Sequence, residues 1–267
     1  MSATGHPEAA TGPAPASART ATPAARLTGE AATAALMLGD DALVLSHRLA
    51  EWAGHAPVLE EDVALANIAL DLLGQARALL SLAGDEDELA FLREERQFRN
   101  IQLVEQPNGD FARTIARQLY FSVAQELRFT ALAGDDDCPR PIRELAAKAV
   151  KETAYHRDHA TEWTLRLGDG TEESHRRMRR GTETMWRFTG ELFTPIPGLA
   201  LDDGALRESW HTQVAAVLAE ATLPVPELPD GDAWTAGGGR DGIHTEPFGR
   251  MLAEMQHLHR SHPGASW

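Results

Sequence analysis

The stretch over residues 61–82 constrains this chain more than any other. Val63, Leu65, Ile68, Leu70, Leu72, Leu73, Leu79 and Leu80 leave it without a continuous polar face. Apolar residues at this density and spacing form a helix, and a helix that is apolar all round belongs inside a cluster of helices. A narrow stripe of Asn67, Asp71 and Gly74 nevertheless recurs along it at helical spacing. A carboxylate in such a place needs partners, because an unpaired charge in a core is very costly. The rest of the chain must therefore supply helices to cover this one and groups to meet Asp71.

The remaining sequence offers them. Gly39-Asp40-Asp41 makes an acidic helix start ahead of Leu43, Val44, Leu45, Leu49 and Trp52, ending near Gly54. A short amphipathic helix follows over residues 86–98. Asn108-Gly109-Asp110 makes a turn and cap for a long helix over 111–132, and a fourth long helix covers 141–167. Three more helices are expected at 171–193, 206–223 and 246–260, the last with Thr245 as N-cap. β-Branched residues never alternate for long, so no strand is expected. Residues 1–27, rich in Ala, Thr, Pro, Gly and Ser, read as a disordered tail. The expectation is an all-α fold, with residues 28–267 forming a single domain: a four-helix bundle with additional C-terminal helices.

Composition narrows the function classes. A net charge of −15 argues against a nucleic-acid binder, which carries a basic face. Residues 65–82 come nearest to a membrane span, but Asn67, Asp71, Gln75 and Arg77 would sit at bilayer depth, so no membrane role is expected. The single cysteine, Cys138, excludes an intramolecular disulfide and any Cys-based zinc site.

Three carboxylates, Asp71, Glu126 and Glu152, fall on three different long helices at core-facing phases. Di-iron carboxylate bundles use this arrangement: a Glu from each of two helices, and a Glu-x-x-His pair from each of the other two. The i, i+3 offset matters because it puts both side chains on one helix face. Here the offsets read Asp71-x-x-Gly74 and Glu152-x-x-Tyr155. Gly74 has no donor, Tyr155 is a weak substitute, and His156 stands one residue too far along as a residual ligand. Two readings follow. One is a metal site with an atypical ligand set, working as a di-iron oxygenase or ferroxidase. The other is a charge and hydrogen-bond cluster, pairing the carboxylates with Arg128, Lys148, Lys151 or His156. Gly237-Gly238-Gly239-Arg240-Asp241-Gly242 has glycines like those of a phosphate loop, but no strand precedes it and no Walker lysine follows, so it reads as a flexible connector.

Several longer blocks resemble a known family. Glu51-Trp52-Ala53-Gly54-His55-Ala56-Pro57, Leu65-Ala66-Asn67-Ile68-Ala69-Leu70-Asp71-Leu72-Leu73-Gly74-Gln75-Ala76-Arg77 and Leu103-Val104-Glu105-Gln106-Pro107-Asn108-Gly109 are similar to the PaaC family of phenylacetyl-CoA epoxidase components, as are Trp186-Arg187-Phe188-Thr189 and residues 242–244. The resemblance covers roughly residues 32–267. It implies a ferritin-like fold and a place in a cytoplasmic, multicomponent bacterial monooxygenase of aerobic phenylacetate catabolism. In that system a homologous catalytic partner holds the di-iron centre, and a reductase with FAD and an iron–sulfur cluster supplies electrons. The PaaC component is the catalytically silent relative, with no cofactor of its own, joined to its di-iron homologue in a hetero-oligomer. On that reading no metal is expected at Asp71, Gly74, Glu126, Glu152 and Tyr155.

Overall fold

A computed structural model describes residues 26–227 and 237–265. Among the described residues eight α-helices run in the order α1 (Gly29–Ala50), α2 (Leu59–Ala83), α3 (Glu86–Phe91), α4 (Phe111–Gly134), α5 (Arg140–Gly168), α6 (Glu172–Trp186), α7 (Asp203–Glu220) and α8 (Glu246–Ser261), and no strand occurs. The expected all-α architecture is present. α1 and α2 form one hairpin, α4 and α5 a second, and the two hairpins pack into a four-helix bundle with α6 and α7 against its α4 side.

Local chemistry sets the helix ends. The Asp110 carboxylate accepts from the Arg113 N–H at 2.9 Å, Thr171 from the Ser174 N–H at 3.1 Å, and Asp202 from the Ala205 N–H at 3.0 Å, each meeting a backbone donor that the first turn leaves unpaired. Pro141 and Pro247 sit in the first turns of α5 and α8, where a missing N–H costs nothing. One apolar cluster joins Leu45, Leu65, Ile68, Ile115, Leu119 and Ala160 through the middle of the bundle, and a second closes one end with Leu38, Leu79, Phe129, Leu132 and Ile142. Trp210 of α7, fully buried, plugs the side of α4: its ring stacks on Trp186 and its Nε1–H donates to the Tyr120 carbonyl at 2.9 Å.

Several expectations need correction. α1 begins at Gly29, so Gly39-Asp40-Asp41 lies mid-helix, and both aspartates are fully buried. Their partners lie far away in sequence. Asp40 pairs with Arg93 and accepts from the Arg99 N–H, while Asp41 pairs with Arg240 and accepts from the Ile101 N–H. Burial raises the Asp40 carboxyl above its ordinary range, and Arg93 opposes that shift. Leu27, assigned to the tail, is held by a 2.8 Å bond from its N–H to the Leu82 carbonyl; residues 1–25 of the assigned tail lie outside the described residues, as do Trp234 and Trp267. The helix expected over 171–193 stops at Trp186, and a separate 3₁₀ turn, Gly190–Phe193, follows.

The glycine-rich segment is no loose connector where it is described. The N–H groups of Gly238 and Gly239 donate to Glu191 at 2.9 and 2.8 Å, and the Gln102 N–H donates to the same carboxylate. These backbone donors do cradle an anion, as such loops can, but the anion is the protein's own. Gly238 has φ 115°, a left-handed conformation that glycine alone adopts readily. A Cβ at Gly239 would stand 2.3 Å from the Asn100 carbonyl oxygen, so this segment and residues 98–106 pack backbone to backbone.

By length and composition α2 is apolar enough to cross a bilayer. In this fold it is a bundle helix, with Leu65, Ile68, Leu72, Leu79 and Leu80 buried on its neighbours.

Candidate functional site

α2 and α5 run antiparallel, and polar pairs zip the seam between them. Glu61 meets His159 at 2.8 Å, Asp71 meets His156 at 3.1 Å, and the Gln75 side-chain N–H donates to Glu152 at 2.9 Å. A carboxylate only accepts, so each histidine places its Nε2–H toward its partner. The other ring nitrogen of His159, Nδ1, is buried without a hydrogen-bond partner. Burial pushes His156 below its ordinary range, with the hydrogen bond and charge of Asp71 acting against that shift.

Glu126 lies apart from these pairs. Both of its carboxylate oxygens accept from Arg157 Nη1, at 2.7 and 2.6 Å. Arg157, on α5, was not among the cations expected to meet these carboxylates. Arg128, which was, turns away to the Leu192 carbonyl and Gln125. The structure therefore brings Asp71 and His156 together, and Glu152 with Gln75, but gives Glu126 a separate arginine partner. Gly74 faces solvent, with nothing within 4 Å of where a Cβ would be, and Tyr155 is 48% exposed. Asp71 is not buried as expected: its side chain is 39% exposed at the rim of the seam.

These residues do not fit a di-iron centre. Such a site needs carboxylates free to bridge cations and an imidazole on each of two helices. Here a guanidinium occupies the place beside Glu126, position 74 has no donor atom, and His156 Nε2 is committed to Asp71. No group of three or more His, Cys, Asp or Glu side chains placed to share a metal ion occurs among the described residues.

The outward face of α2 departs from what the sequence implied. Leu59 is 75% exposed, Leu70 64% and Val63 54%, with Asn67, Gly74 and Ala78 exposed on the same side. A helix apolar all round was expected to be covered all round; in the single chain only its inner face is. An exposed apolar strip of this kind, here interrupted by Asn67, marks a surface that associates.

Sequence reasoning missed the most densely bonded part of the molecule, a polar belt where residues 98–108 cross the bundle to meet residues 238–247. Glu105, fully buried, accepts from the Asn100 side chain at 3.0 Å, His244 Nδ1 at 2.8 Å and the Thr245 N–H at 2.6 Å. Arg48 reaches from α1 to the Glu105 carbonyl at 3.0 and 2.8 Å and to the Pro247 carbonyl at 3.0 Å. Burial pushes the Glu191 carboxyl upward, against the three N–H groups that it accepts. Burial lowers the Arg117 guanidinium to about 9, with the charge of Arg48 adding to the effect. The signal that would have found the belt was the Asp40-Asp41 pair itself, set between Met37-Leu38 and Leu43-Val44-Leu45 with no polar turn around it.

Comparison with known proteins places these features in a family. A family model described as "Phenylacetic acid catabolic protein" matches residues 15–267, starting within the stretch read as a tail. The chain is also 50% identical over 246 residues to the C component of the 1,2-phenylacetyl-CoA epoxidase of Escherichia coli (strain K12), an alignment that covers 87% of this chain and 97% of that protein.

Proposed function

The chain belongs to the family of phenylacetic acid catabolic proteins, and from that membership we propose that it is a structural, non-catalytic subunit of a 1,2-phenylacetyl-CoA epoxidase. It supports a homologous di-iron partner, which carries out the oxygen chemistry, and a reductase bearing FAD and an iron–sulfur cluster delivers electrons to that partner. The assembly is a cytoplasmic hetero-oligomer. The observation that carries this reading is the state of the ligand positions: Arg157 holds Glu126, Asp71 and Glu152 are spent on His156 and Gln75, and position 74 is glycine. The alternative, an oxygenase or ferroxidase in its own right, would need those groups free.

The chain's own residues contribute shape and rigidity. The seam pairs fix the register of α2 against α5, and the polar belt ties residues 98–108 and 238–247 to α1. A rigid bundle presents the apolar strip of Leu59, Val63 and Leu70 in one geometry, and this strip is the surface we assign to the contact with the di-iron partner. Coexpression and co-purification test the proposal. Leu70→Asp, at an exposed position, leaves the chain folded but weakens its capture by the di-iron partner, and epoxidation falls in step with the assembled complex. Full assembly and full epoxidation by Leu70→Asp would refute this assignment of the surface. An intact complex whose chemistry is abolished by Asp71→Asn would refute the structural role.

A further inference from the structure

A second surface lies where α6 packs on the start of α4. Gly181 allows the close approach: a Cβ there would stand 3.0 Å from the Arg113 Cα and 3.1 Å from the Ala112 carbonyl oxygen. The contact brings Arg113 and Arg180 to one cavity of about 230 Å³, which Arg177 and Asp110 also line. It opens into a wider hollow that adds Arg176 and Glu173. Four guanidiniums against two carboxylates leave a local excess of positive charge on a chain whose net charge is −15.

The pairing within this cluster is uneven. Glu173 meets both Arg176 and Arg177. The Asp110 carboxylate caps α4. The guanidiniums of Arg113 and Arg180 have no ion pair among the described residues, and Arg113 Nε is buried with no hydrogen-bond partner. Burial lowers the Arg113 guanidinium; Asp110 opposes that shift and the charge of Arg180 adds to it. Asp110 offsets part of this charge, and two guanidiniums without an ion pair beside one cavity still favour a further anion.

The same surface continues into an apolar groove of about 400 Å³ lined by Val58, Phe111, Trp163 and Leu167, which shares Arg177 and Glu173 with the charged end. Phe111 and Trp163 meet edge to face at 5.0 Å, forming an aromatic corner. We propose that this trough binds an organic phosphate ester, with its dianionic phosphate on Arg113, Arg177 and Arg180 and a planar apolar group against Phe111 and Trp163. Guanidinium forks match phosphate oxygens, and the local charge excess matches a dianion. The site lies on α4, α5 and α6, and the proposal is independent of the structural role proposed above.

The test is calorimetric titration of the full chain with 1-naphthyl phosphate, alongside inorganic phosphate and the Arg180→Gln and Arg113→Gln/Arg180→Gln variants. Saturable binding of the ester is expected, with inorganic phosphate at least about tenfold weaker because it buries no ring. Arg180→Gln weakens the ester about tenfold and the double variant more, since each removes a charge-assisted hydrogen bond. Arg180 is exposed and has no ion pair, so its variant keeps the wild-type circular dichroism and melting temperature. Absence of saturable binding, equal affinity in the variants, or inorganic phosphate binding as tightly as the ester would each overturn the proposal. So would variants whose only defect is weaker capture of an acidic protein partner, which would make the patch a protein-docking face.

Discussion

Arg240 is the side chain on which the C-terminal segment most depends, and its replacement gives a sharp stability test. Its Nη1 donates to the Met37 carbonyl at 3.0 Å, to Asp41 Oδ1 at 3.0 Å and to the Arg99 carbonyl at 2.7 Å, and its Nη2 donates to Asp41 Oδ2 at 2.7 Å. Asp41 is fully buried. Arg240→Met leaves that carboxylate with the Ile101 N–H as its remaining donor. Removing one partner of a buried pair costs about 3–5 kcal/mol. The charge of Arg240 also bears on Arg128, whose guanidinium burial lowers to about 10. Its loss relieves that repulsion, so the expected cost lies nearer the lower end, about 3 kcal/mol. At a urea slope of about 3 kcal/mol per molar this moves the unfolding midpoint down by about 1 M. Asp41→Leu alone carries a similar cost, because it strands a buried guanidinium. The double variant removes both charges and keeps chiefly the penalty of the unpaired Ile101 N–H, about 1–3 kcal/mol. The cycle therefore shows a coupling of at least about 2 kcal/mol. Urea unfolding followed by circular dichroism measures all four species. A single-variant cost below about 1 kcal/mol, or a double variant equal to the sum of the singles, would refute the reasoning.

Other consequences are as direct. Trp210→Ala removes a fully buried ring and its bond to the Tyr120 carbonyl, and costs about 3–5 kcal/mol in the same unfolding assay. Gly74→Ala fills open space on an exposed helix position and stabilises the isolated chain by about 0.5–1 kcal/mol, read as a raised melting temperature. His156 has a folded-state pKa below that of the unfolded chain, so the unfolded state takes up its proton first as pH falls. Its stabilising contribution is complete above about pH 6.5 and is lost as pH drops toward the folded value. The melting temperature therefore declines below about pH 6.5, and His156→Gln flattens that part of the profile.

Helix type and order were legible because the apolar period is local, and so was the cap at Asp110, whereas Thr245, read as the N-cap of α8, stands at that position without a side-chain capping bond. Pairings across the bundle were not legible, apart from His156, named among the expected partners and found against Asp71. Asp40 and Asp41 follow a glycine and look like a helix start, whereas their stabilising partners stand 53 and 199 residues further along. Glu126, read at a core-facing phase, is half-buried, and its partner Arg157 sits on α5, where no periodicity singles it out from Lys148 or Lys151. The absence of a donor at position 74 was visible in the sequence alone. The uncovered face of α2 was not, because an apolar helix reads the same whether its second face meets its own chain or another.

The central claim is that this chain supports chemistry carried out elsewhere. Metal analysis of the separately purified, iron-loaded and desalted chain tests it most directly, with the same chain then assayed for phenylacetyl-CoA oxidation with reductase alone. The account predicts iron far below one ion per chain and no turnover until the di-iron partner is added. About two tightly bound iron ions per chain, the occupancy of a di-iron bundle, together with turnover in the absence of that partner would contradict it.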